Sequence, residues 1–91
     1  MTHELSLMAG LVTRLETLAR AEGAVRVTRV VLRLGALAHG SPEHMREHFA
    51  AAARGTVAEG AEVAFEPAGD ARDPRAAEVV LDRVELEVPD D

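Results

Sequence analysis

The chain has 91 residues, 47% of them hydrophobic, a formal charge of −6 and no cysteine. That is enough apolar material for one small domain with a single core. Disulfides, thiolate zinc sites and a thiol nucleophile are excluded, and the negative balance argues against a surface that tracks phosphates or an anionic bilayer. Phe49 and Phe65 stand without any Trp or Tyr, so the core has to be built from Leu, Val, Met and Ala.

From Glu4 to about Glu22, Leu5, Met8, Leu11, Val12, Leu15, Leu18 and Ala19 recur at three- and four-residue steps. This is the stripe of an amphipathic helix, and Gly23 is its natural stop. The β-branched run from Ala24 to Gly35 reads as a strand with Val30, Leu32 and Leu34 on one face. Val25 and Val27 are out of phase with that face, which a bulge near Thr28 would repair. Ser41, Pro42 and Glu43 are suited to cap and start a second helix that runs to Gly55, with Met45, Phe49 and Ala52 as its apolar stripe.

Ala61 to Pro67 alternates as a strand, with Ala61, Val63 and Phe65 on one side. Residues 68–77 are polar and turn-rich, a loop. The closing strand carries Val84, Leu86 and Val88 on one face and Val79 and Leu81 at the opposite parity, so a second bulge is expected near Asp82. The resulting expectation is an α+β fold in the order helix-strand-helix-strand-strand. It has a three-stranded, mainly antiparallel sheet with two helices packed on one face. The last two strands would form an antiparallel hairpin. The sequence holds no membrane span and no basic-then-apolar leader, so a cytoplasmic location is expected.

The chemistry with the most promise lies at the very start. If Met1 is retained, the amine, the amides of Thr2 and His3 and the His3 imidazole can surround a metal ion in one plane. If Met1 is trimmed, the Thr2 amine, the His3 amide and the imidazole give three in-plane donors, leaving a position for Glu4 or another ligand. Such nitrogen-rich square-planar sets favour Ni(II) or Cu(II) over zinc, calcium or magnesium. The plain alternative is that His3 and Glu4 are ordinary residues of a helix start, with Glu4 complementing the dipole.

Three other histidines carry weaker signals. His44, Glu47 and His48 spell the inverted zinc-protease pattern H-x-x-E-H, a short match in a chain too small for a protease. The pair could form a secondary metal site or simply flank a solvated helix. His39 sits in a Gly-containing stretch and could approach the N-terminus. No phosphate loop or nucleophile elbow is present, and nothing in the pattern asks for an enzyme.

Taken together, "HELSLMAGLV", "RVTRVVLRLGAL", "PEHMREHFAAAARGTVAEGAEVAFE" and "EVVLDRVELEV" resemble, in that order, the HypA/HybF family of nickel metallochaperones of NiFe-hydrogenase maturation. The resemblance implies nickel held at the N-terminus, with the family's second-position histidine and following glutamate falling on His3 and Glu4, and Met1 or Thr2 supplying the amine. It implies delivery to a hydrogenase large-subunit precursor with a nickel-handling GTPase as co-worker, and urease service in some members; the negative charge has already argued against nucleic acid and membrane as partners. The family ordinarily carries a zinc lobe with two Cys-x-x-Cys pairs between the last two strands. This sequence has the loop 68–77 there, so structural zinc is not expected within the single 1–91 domain. The other reading is a metal-free adaptor of the same maturation machinery.

Overall fold

The computed structural model describes residues 3–34, 42–67 and 79–89. Helix α1 spans His3–Glu22, strand β1 Arg26–Leu34, helix α2 Pro42–Ala53, β2 Glu62–Pro67 and β3 Val79–Glu87. This is the α+β class and element order that the sequence implies. The Ser41 cap and the loop 68–77 lie outside the described residues.

α1 ends as its sequence dictates. Gly23 takes a left-handed φ of 68°, a conformation with no side-chain clash to overcome. Its N–H donates to the Arg20 carbonyl at 3.2 Å and the Ala24 N–H to the Ala19 carbonyl at 2.8 Å. These two bonds make a Schellman cap, which satisfies carbonyls that would otherwise face no donor and turns the chain into β1.

The sheet departs from the sequence expectation in its pairing. Its order is β2-β1-β3, with β2 parallel and β3 antiparallel to the central β1. The expected hairpin between the last two strands is therefore not formed: they lie on opposite edges of β1. The physical reason is the long α2 connection. A strand, a crossover helix and a returning strand pair in parallel, which sets β2 on one side of β1; the outer edge of β2 is occupied at the Val63 carbonyl by Arg46, and β3 takes the far side of β1. At one end of the sheet Leu34 is flanked by both Pro67 and Val79.

Both expected bulges are present. The β1–β3 register slips between Val27 and Arg29, passing over Thr28, and again where Val31 pairs with Arg83 and Leu32 with Leu81, passing over Asp82. The Thr28 hydroxyl donates to the Glu85 carbonyl at 3.1 Å, which holds the first irregularity in place. The slips bring Val27, Val30 and Leu32 onto one face, with Val79, Leu81, Val84 and Leu86 packed beside them. Val25 and Val88, expected on that face, are instead more than half exposed, because the strands begin at Arg26 and end at Glu87.

Against this face pack Met8, Leu11, Val12, Leu15 and Ala19 of α1 and Met45, Phe49 and Ala53 of α2, forming one contiguous core. Phe49 is its largest buried side chain. Between α2 and β2, the stretch that resembles the family's RGT–AEGA turn serves as a corner. The Thr56 hydroxyl donates to the Ala53 carbonyl and accepts from the Ala58 N–H, and the Val57 carbonyl accepts the N–H of Val27 at 2.8 Å. Ala58 is completely buried there. The spelling of this segment is thus matched by the backbone geometry of the corner.

The other face of the sheet is charged. Arg29 of β1 reaches both Glu62 of β2 at 3.5 Å and Glu85 of β3 at 3.3 Å; Arg33 pairs with Asp82, and Arg26 with Glu87. Val31 lies among these rows at 1% exposure. Consecutive burial of Val30, Val31 and Leu32 is the mark of a strand covered on both faces.

Candidate metal site at the amino terminus

α1 begins at His3, so His3 and Glu4 both lie in the first helical turn. Met1 and Thr2 lie outside the described residues. The first four N–H groups of an α-helix have no acceptor within the helix. The His3 amide is one of these, so its deprotonation by a metal would break no helical hydrogen bond. Glu4 stands where a carboxylate complements the helix dipole whether or not a metal is bound.

The surroundings of these first turns are apolar. A groove of about 270 Å³ runs between α1 and the β1–β3 side of the sheet, lined by Leu7, Met8, Leu11, Leu32, Val79 and Leu81 among others, and its one charged lining residue is Arg14. None of the described residues that line it is a carboxylate or an imidazole. His39 lies outside the described residues.

His44 and Glu47 of α2 are exposed and His48 is half-buried beside the core residue Phe49. Among the described residues no group of three or more His, Asp or Glu side chains could hold a metal ion. On this helix the side chain with a clear structural task is Arg46, which the sequence pattern did not single out. Its Nε donates to the Val63 carbonyl at 3.0 Å, and its guanidinium lies over the Phe65 ring at 5.0 Å. An arginine on the outer side of a helix gives no signal of this in the sequence, because the contact depends on β2 returning beneath α2.

Comparison with known proteins settles the family. The family model for hydrogenase/urease nickel incorporation, metallochaperone, HypA, matches residues 1–71. The chain belongs to that family. Among curated HypA proteins it is 48% identical over 64 residues to a hydrogenase maturation factor of Chlorobium limicola, covering 70% of this chain and 55% of the relative. It is 48% identical over 58 residues to one of Acidithiobacillus ferrooxidans, covering 64% of this chain and 51% of the relative. The chain spans about half the length of the curated relatives it matches. The fold is shared with the solution structure of the Ni metallochaperone HypA from Helicobacter pylori, with a TM-score of 0.82 at 16% identity, covering 97% of this chain and all of that one. The HypA match begins at the first residue, so it includes Met1, Thr2, His3 and Glu4. No described helix is long and apolar enough to cross a membrane.

Proposed function

We propose that this HypA-family chain takes up Ni(II) at its amino terminus and passes it on during hydrogenase maturation, with no chemical turnover of a substrate. The ligands are the terminal amine, carried by Met1 or by Thr2 after trimming, the His3 amide and imidazole, and Glu4. The recipient is a hydrogenase large-subunit precursor, with a nickel-handling GTPase as co-worker, in the cytoplasm. The observation that carries the reading is the conjunction of family membership across residues 1–71 with a helix that opens at His3. The amide needed for planar coordination is one that the helix leaves without a partner. Donors of this kind suit Ni(II), and the absence of cysteine leaves no thiolate set for structural zinc.

Binding must expel protons from the amine, the amide and the imidazole. Lower pH restores those protons, so affinity falls as pH drops. Calorimetric titration of untagged protein with Ni(II) tests the assignment, with intact mass establishing whether Met1 is present. The wild type is expected to bind one equivalent, and His3→Ala or a blocked amine to abolish nearly all of it. Unchanged affinity in His3→Ala would remove the site. No uptake by the wild type at neutral pH would leave the chain as a metal-free adaptor of the same machinery.

A further inference from the structure

Two imidazoles of α2 stand outside the terminal donor set. His44 and His48 are four residues apart, so their Cβ atoms lie one turn apart on one helix face, about 6 Å from each other. This is the spacing at which two histidines of one helix grip a single zinc ion in H-E-x-x-H sites. His44 is exposed and His48 half-buried, so neither ring is enclosed. The topology sets the pair at the same end of the molecule as His3. The Schellman cap delivers the end of α1 to the start of β1, and Ser6, Leu7 and Met8 share a groove with Leu32 and Val79, so α1 begins at the Leu34 end of the sheet. Just past α2, the Val57 carbonyl bonds Val27 at the start of β1, while Arg46 near the start of α2 meets Phe65, which pairs with Leu32. α2 therefore begins at the Leu34 end as well. Its Arg46 flank covers β2. At about 100° per residue, His44 and His48 each lie about 200° around the helix from Arg46, on the flank turned toward α1.

Chemistry decides what such a pair holds. Imidazole nitrogen suits Ni(II), Cu(II) and Zn(II), whereas calcium and magnesium take oxygen ligands. The start of a helix is unfavourable for a cation, but Glu43 in the first turn of α2 and Glu47 beside His48 set negative charge against that dipole. We propose that His44 and His48 form a second metal site, which binds Ni(II) as a two-imidazole chelate. The inference rests on nickel being the cargo of this chain. Among the described residues no third side-chain ligand joins the pair, so the remaining coordination positions are open to water. Two donors hold the ion more weakly than the terminal set does. This site therefore fills at nickel concentrations above those that saturate the amino terminus. Binding here ionises no backbone amide, as the terminal set requires, and the open positions leave the ion free to exchange into a stronger ligand set.

Proton NMR of the imidazole rings, assigned by single substitutions, reads this site with Ni(II) alone as the probe. The full chain carrying His3→Ala is used, so that the terminal set is removed. Ni(II) bound by imidazole and water is paramagnetic. The ring signals of His44 and His48 are expected to broaden together as nickel is raised toward roughly 1 mM. Adding His44→Ala should raise the nickel needed to broaden His48 by about tenfold or more, because the second imidazole is no longer supplied at the high effective concentration of a neighbouring turn. Far-ultraviolet circular dichroism shows that each variant is folded. Rings of His44 and His48 that stay sharp throughout overturn the proposal. So does a His48 signal that broadens at the same nickel concentration with and without His44. Neither result bears on the terminal donors, which stand or fall by the calorimetry of His3→Ala against the wild type.

Discussion

Truncating Phe49 is the sharpest test of how this fold is held together. Phe49 is 2% exposed and joins the α2 stripe to the α1 residues and to the sheet. With only two phenylalanines in the chain, no neighbouring large ring can swing in to fill the space. Deleting a buried Phe down to Ala removes its transfer free energy and leaves a cavity, at a cost of about 3–5 kcal/mol. A domain of this length is stable by roughly 5–14 kcal/mol, so Phe49→Ala would take away between a quarter and nearly all of that. The corresponding drop in Tm is about 15–30 °C. Phe65 supplies the internal comparison: it is half-buried beneath Arg46 at the edge of the sheet, so Phe65→Ala should cost about half as much. Urea unfolding followed by circular dichroism, analysed as two-state, gives both values. If Phe65→Ala proves as costly as Phe49→Ala, the core is not centred where α1, α2 and β1 meet, and this account of the packing is wrong.

Two further substitutions follow from local geometry. Arg46→Ala uncovers the Val63 carbonyl and removes the cation from the Phe65 face; a loss of about 1–2 kcal/mol is expected, together with faster aggregation on heating, measured by light scattering. Gly55 has a φ of 79° and a Cβ built there would meet nothing within 4 Å, so Gly55→Ala should cost only its backbone strain, about 1 kcal/mol in a denaturant titration.

The alternation of side chains carried more of this architecture than the strand pairing did. Val27 and Val30 stand three apart, and Leu81 and Val84 likewise. A strand that buries both members of each pair on one face needs an extra residue between them, which is why the irregularities at Thr28 and Asp82 could be read in advance. Periodicity says which face a residue occupies but not which strand lies beside it, and the hairpin expectation failed on that point. Two signals pointed the other way. Val30, Val31 and Leu32 form a run too apolar for an edge strand, and the strand–helix–strand order from β1 to β2 is that of a parallel pair. On α2, Ala53 rather than Ala52 is the buried member of the last turn, a one-residue shift at a helix end where the chain is already leaving for the corner at Thr56. The amino-terminal donor set could be put forward from the sequence because its chemistry is local: adjacent nitrogens of Thr2 and His3 need no tertiary fold to lie near one another, and the nickel titration above is what tests it. The role of Arg46 was not, because it depends on a strand that arrives some twenty residues later.

The flanking of Leu34 by Pro67 and Val79 has a consequence for how this scaffold can be remodelled. Neighbouring strands lie about 4.8 Å apart, so these two positions are separated by roughly 10 Å across the end of the sheet. A self-contained module whose own ends are about that far apart would fit between them without changing the register of a strand, whereas a direct join would not, since one peptide link spans only about 3.8 Å. Pro67 and Val79 are thus the two described positions between which such a unit would have to be joined.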